Sequence, residues 1–183
     1  MKHTEIKLTS EEIFKGRVVH LYKDEVELEN GKHTFREVIR HPGGVCVAAL
    51  DDELNMLLVK QFRYPLAKEL LELPAGKLEY GEDPLTCGAR ELEEETGFTS
   101  DNLSLLGKLY PTPAYTDEVI YIYYARNLIE KKQKLDEGEF LTVIKMPFWE
   151  VYNKVMDGEI LDSKTQIAVL KLAAILKDES DER

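Results

Sequence analysis

The residues best suited to chemistry lie between positions 82 and 95: Glu82, Arg90, Glu91, Glu93, Glu94 and Glu95. Pro84 suits a first helical turn and Gly97 a C-terminal cap, so the spacing predicts a helix over Pro84–Thr96. Leu85, Ala89, Leu92 and Thr96 then share one face, which is expected to pack on a sheet. Glu91 and Glu95 stand four residues apart on the border of that face, and Glu94 lies farther round. Like charges four apart destabilise a helix by roughly a few tenths of a kcal/mol per pair. Acids near a helix C-terminus also oppose its dipole. A hard divalent cation held by carboxylate oxygen, Mg²⁺ or Mn²⁺, would remove both penalties. The same glutamates also fit a solvated acidic helix face, so the decision rests on what surrounds them.

Positioning such residues needs a folded core. The chain has 183 residues, 43% hydrophobic and 32% charged, enough for one ordinary domain with a small appendage. Lys plus Arg is 24 against 35 Asp plus Glu, a net charge of -11, which argues against general nucleic-acid binding. An anionic substrate would be repelled unless cations or local arginines reverse the field. Cys46 and Cys87 lack metal-site spacing and read as reduced, buried thiols of a cytoplasmic protein. The charged start MKHTEIKLTSEE shows no signal-peptide pattern, and no apolar run reaches the ~20 residues of a membrane span.

Residues 1–41 read as a small β-rich unit, with strands over 17–22, 23–28 and 33–39 and a turn at Asn30-Gly31. It is too small to bury a core alone and must pack on something larger or on a second subunit. His41-Pro42-Gly43-Gly44 marks the boundary to a domain over 42–183. There, 45–50 reads as a strand buried on both faces, followed by strands over 56–63, 103–110, 119–126 and 139–147. Residues 69–74 form a short extended piece. Helices are expected over 148–156 and 164–177, the second with Ile167, Leu170, Ala174 and the stem of Lys171 on its apolar face. Strands mixed with helices suggest an α+β protein, a mixed sheet sandwiched between helices in three α/β/α layers.

The spacing settles the acidic stretch. Gly76, five residues, Glu82, seven residues, then Arg90-Glu91-Leu92-x-Glu94-Glu95-x-Gly97-Phe98 resembles the signature of the Nudix hydrolases at every fixed position. The resemblance extends over the flanks and implies the Nudix fold. It implies that Glu91 and Glu95 are the main metal ligands, joined by Glu94 and the carbonyl of Ala75. Arg90 would orient the glutamates through charge-assisted hydrogen bonds, and Glu82 would support the loop or a metal. Gly76 and Gly81 would supply backbone conformations closed to other residues, and Gly88, though poor helix chemistry, sits at a position the motif leaves unconstrained.

Three further stretches resemble the ADP-ribose pyrophosphatase branch of that family. Pro113 lies sixteen residues after Gly97 and is followed by an aromatic residue, Asp117 and Glu118, although Ala114-Tyr115 stands where Gly-Phe is usual. REVIRHPGG resembles the branch's N-terminal strand, which makes Arg36 a substrate contact across a swapped homodimer. VKQFRYP and ELPAG make Arg63 a diphosphate contact and Glu72 a ribose or adenine-side contact. Glu137 of LDEGEF aligns with a catalytic base and Glu139 with a second contact. The expected activity is Mg²⁺-dependent cleavage of ADP-ribose to AMP and ribose 5-phosphate, with Mn²⁺ as a possible substitute. The alternatives are another nucleoside diphosphate sugar such as GDP-mannose, a dinucleotide such as FAD, or an idle domain that senses ADP-ribose or binds a protein partner.

Overall fold

The computed structural model describes residues 3–181. By internal contacts the chain forms two compact units, Met1–Gly43 with Tyr110–Val119, and Gly44–Leu109 with Ile120–Arg183.

In the first unit, β1 (Ile6–Lys15), β2 (His20–Glu27) and β3 (His33–Arg40) form an antiparallel sheet in that order. Two of these elements differ from the sequence expectation. The strands expected over 17–22 and 23–28 are one continuous β2, because Tyr22 and Lys23 both stay in register with β1 and β3. β1 itself lies in the stretch read as a charged start. All ten of its residues are exposed, so no alternating pattern marks it. The segment from Tyr110 to Val119 joins this unit through Ile39, whose N–H donates to the Tyr115 carbonyl at 2.7 Å. Arg40 adds ion pairs to Asp24 at 2.8 Å and Asp117 at 3.2 Å.

The second unit is built on β4 (Gly44–Ala49), which pairs in parallel with β10 (Ile120–Arg126). β7 (Ala75–Lys77) and β9 (Asn102–Leu109) complete this sheet in the order β7-β4-β10-β9. A second sheet has β5 (Asn55–Arg63) between β12 (Leu141–Pro147) and β6 (Lys68–Glu72), and β8 (Phe98–Thr99) pairs with β11 (Ile129–Glu130). The helices are α1 (Pro84–Thr96), α2 (Phe148–Met156) and α3 (Ser163–Asp181).

Alternation along β4 explains the layering. Cys46 and Ala48, with Leu50 beyond them, enter a cluster with Phe148 and Val151 of α2 and Val169 and Leu172 of α3. Val45, Val47 and Ala49 point the other way, into a cluster with Cys87 and Leu92 of α1. The sheet is therefore covered by helices on both faces, the expected sandwich. Fully burying side chains such as Leu92 and Phe148 is worth about 1.5–3 kcal/mol each. Both cysteines are free and buried, and burial pushes each thiol up to about 12.

The helix bounds agree with the sequence expectation better than the helix faces do. On α1 the buried residues are Cys87, Gly88, Leu92, Glu95 and Thr96, while Leu85 is exposed. Gly88 turns the helix this way: a Cβ there would come within 3.1 Å of Val45 Cγ1, so the helix backbone lies almost on β4. The motif leaves this position open, but in this fold Gly88 is where helix and sheet touch. On α3 the buried face is Lys164, Thr165, Ala168, Val169, Leu172, Ala173 and Leu176, and the expected Leu170 and Ala174 are exposed. The run IAVLKLAAIL is apolar on nearly every side, so its periodicity does not choose a face. Among the described residues no helix is long and apolar enough to cross a membrane.

Candidate active site

α1 is fixed at both ends. The Asp83 carboxylate caps the start, accepting from the N–H groups of Leu85 at 3.0 Å and Thr86 at 3.2 Å. Gly97, in the left-handed conformation at φ 74°, closes the end by donating its N–H to the Glu93 carbonyl.

β7 runs close beside the acidic flank. A Cβ on Gly76 would fall directly on the Glu91 carboxylate. Gly76 does not hold a positive φ, so the reason for glycine here is space rather than the backbone freedom expected from sequence. Of these two glycines, Gly81, at φ 81°, uses that freedom. Ala75, the first residue of β7, donates its N–H to Glu95 Oε2 at 2.8 Å.

Arg90 organises the carboxylates. Its Nε and Nη2 fork onto Glu82 at 2.9 and 3.0 Å. Its Nη1 donates to Glu91 Oε1 at 2.8 Å and Glu94 Oε2 at 2.9 Å. The hydrogen bond from Arg90 lowers the Glu82 carboxyl to about 2, and the same acids drive the guanidinium well above its ordinary range. Glu91 moves the opposite way, raised by burial that Arg90 only partly offsets. Glu95 is 3% exposed and is raised to about 8 by burial, and further by the charges of Glu139 and Glu91. The Ala75 N–H and Arg63 oppose that rise.

These groups face a cleft of about 280 Å³ lined by Ala75, Gly76, Lys77, Glu79, Arg90, Glu91, Glu94, Asp136 and Glu139. The two loop glutamates separate here. Glu139 lines the cleft and accepts from Gln61 Nε2 at 3.4 Å, whereas Glu137 is exposed and is not among the lining residues. The turn that puts Glu139 N–H on the Asp136 carbonyl at 3.0 Å sends the two side chains different ways. Sequence reasoning missed Asp136 and Gln61. Both lie inside stretches singled out for other residues, VKQFRYP and LDEGEF, and the ladder of β5 against β12 brings Gln61 level with the loop.

Arg63 and Glu72 form a bidentate pair at 2.7 and 2.8 Å. Glu72 is 1% exposed, and Lys164 also donates to it. The expected ribose or adenine-side contact is therefore a carboxylate already engaged by two cations, whose pull outweighs burial and lowers its pKa. Arg36, Pro113 and Glu118 belong to the first unit. There Arg36 pairs with Glu5 at 2.5 Å, Pro113 is exposed, and Glu118 lies 3.6 Å from His41.

The site fits a hard divalent cation by donor type. Glu91, Glu94, Glu95 and the backbone of Ala75 offer oxygen, and Arg90 takes only one oxygen each from Glu91 and Glu94. Among the described residues no three His, Cys, Asp or Glu side chains are grouped as a metal cluster.

A row of glutamates gathered by Arg90 thus lies on α1, with the glycine of β7 pressed against it. A family profile described as the NUDIX domain matches residues 40–164. The chain belongs to the Nudix family. It is 43% identical over 172 residues to the ADP-ribose pyrophosphatase of Bacillus subtilis (strain 168), spanning 92% of this chain and 93% of the relative. It is 44% identical over 174 residues to the methanol dehydrogenase activator of Bacillus methanolicus, spanning 93% and 94%. The fold matches a solved structure titled as an ADP compounds hydrolase with a TM-score of 0.83, at 22% identity, over 96% of this chain and 95% of the other.

Proposed function

We propose that the chain hydrolyses the diphosphate of ADP-ribose to AMP and ribose 5-phosphate, with Mg²⁺ as the working cation and Mn²⁺ as a substitute. The observation that carries this reading is the juxtaposition of Glu91, Glu94 and Glu139 around one cleft, with Glu95 buried behind them. The 43% identity to an ADP-ribose pyrophosphatase supports the choice of substrate.

A divalent cation, when bound, supplies positive charge against the diphosphate and Lewis acidity toward water. The chain's own residues do the rest. Glu91, Glu95, Glu94 and the Ala75 carbonyl would hold the cation, with Arg90 keeping Glu91 and Glu94 aimed into the cleft. Arg63 would bind diphosphate oxygens with donors left over from Glu72, and Arg36 would do so across a homodimer. Glu139, rather than the exposed Glu137, would accept the proton of the attacking water. Water adds to phosphorus as the bridging P–O bond breaks, and each product carries one phosphate away. In this reading Pro113 and Glu118 shape the base-side contact.

Dimerisation is supported by the apolar side chains that β1 and the turn after it leave exposed: Ile6, Leu8, Ile13, Phe14, Val18 and Val19. A monomer by light scattering would remove the role of Arg36 in trans. Two free, buried thiols agree with a reducing cytoplasm.

The decisive assay measures metal-dependent formation of the nucleoside monophosphate from ADP-ribose, GDP-mannose and FAD. A faster rate on either of the other two compounds would reassign the substrate. The likeness to a dehydrogenase activator favours a second reading, in which the domain acts on a protein partner. Absence of turnover on every diphosphate, with retained binding of ADP-ribose, would move the assignment there.

A further inference from the structure

The start of α3 carries a lysine, Lys164, that the reaction above leaves without a task. Lys164 Nζ donates to Asp162 Oδ1 at 2.9 Å and also to Glu72 Oε2. Glu72 in turn holds Arg63 through both oxygens. Asp162, Lys164, Glu72 and Arg63 thus alternate in charge along one line. Exposure rises sharply at its end: the Glu72 and Lys164 side chains are 2% and 11% exposed, and that of Arg63 is 40% exposed. Among the described residues Arg63 Nη1 has no hydrogen-bond partner, and its guanidinium lies within electrostatic reach of Glu95.

Anchoring α3 does not explain the lysine. The helix start is already capped by Asp162 Oδ2, which accepts from the Thr165 N–H at 3.0 Å and Thr165 Oγ1 at 2.6 Å. Thr165 Oγ1 accepts the Leu73 N–H at 2.9 Å, which ties the residue after Glu72 to α3 without any charge. A cation in the first turn also opposes the helix dipole, and burying an ammonium is unfavourable unless it is paired.

We infer that Lys164 is a positioning residue for diphosphate binding: it holds the Glu72 carboxylate in place and shares its charge, so that Arg63 presents a net positive edge to substrate oxygens. This rests on the diphosphate hydrolase reading above. Without Lys164, the buried charges of Glu72 and Asp162 face Arg63 alone. The guanidinium, already bidentate on Glu72, then offsets both carboxylates, and its field toward the substrate is weakened. Binding suffers, while the groups that act on water are untouched.

Steady-state hydrolysis of ADP-ribose with Mg²⁺ tests this. Lys164→Met is expected to raise KM about tenfold with kcat changed less than about threefold, the signature of lost uniform binding. Lys164→Arg, which keeps the cation, should recover most of the loss. Thr165→Val removes the uncharged anchor and is expected to lower Tm while leaving KM within about twofold. In an Arg63→Lys background, Lys164→Met should add less than about twofold, because the two residues act in series. An unmoved KM in Lys164→Met overturns the inference, as does an equal rise in Thr165→Val or full additivity with Arg63→Lys. Should Lys164→Met not fold, Lys164→Gln is read by the same criteria. A wild-type chain that cleaves no diphosphate sinks the functional reading itself, whereas normal wild-type turnover with an unmoved variant sinks only the role of Lys164.

Discussion

Glu95 Oε2 accepts the backbone N–H of Ala75 at 2.8 Å, which ties the last turn of α1 to the first residue of β7. One oxygen of a buried carboxylate is thereby spent on fold, and the other is left for chemistry. The same side chain sets the spacing between the helix glutamates and the strand beside them.

This relationship gives the protein a pH-dependent stability when metal is removed by a chelator. The Glu95 carboxyl is raised from 4.5 to about 8, chiefly by burial, so the folded state binds a proton that the unfolded state has released. Stability from this group is complete below its ordinary value and is lost as pH rises toward about 8. Tm of the metal-free protein should fall across that window, and Glu95→Gln should flatten the fall. A Tm that rises with pH there would contradict the burial argument.

Glu91→Gln keeps the shape of the side chain and removes its charge. Turnover is expected to drop by about 100-fold or more while Tm holds or rises, since burial already disfavours the ionised form. Circular dichroism alongside the assay separates lost chemistry from lost fold.

Arg90 serves three carboxylates at once, so its replacements should rank by geometry rather than by charge. Arg90→Ala leaves Glu82 and Glu91 part-buried without their cation and should destabilise by about 1–3 kcal/mol. Arg90→Lys restores the charge but not the fork, so activity should remain low even where stability recovers. Denaturant melts and rates on the two variants check this ordering.

The loop glutamates make a paired test. Glu139→Gln should reduce kcat by about 100-fold, in the range of a lost general base, whereas Glu137→Gln should stay within about threefold of wild type. The reverse order would return the base role to Glu137.

The site residues on α1 were legible because Pro84, Gly97 and the row of acids are local signals, and the helix has the expected bounds. The apolar run of β4 and the strands over 55–63 and 120–126 were equally plain. Less legible was everything decided by contact between distant segments. The motif says nothing about Gly88, whose closeness to β4 only the fold reveals, and Glu72 looked like an open ligand until Arg63 and Lys164 closed on it. A lysine in the first turn after Asp162-Ser163 was the one available hint, because the helix dipole disfavours it. β1 carried no hint, since a strand exposed along its whole length has no face to pattern.

The contact between Gly76 and Glu91 offers a switch that alters no charge. A single methyl group at position 76 would occupy the place of the Glu91 carboxylate and push it out of line. Gly76→Ala would therefore make an inactive twin with the same net charge and the same titratable groups as the parent. Such a twin would serve as a blank for binding studies, in which substrate has to be held without being consumed.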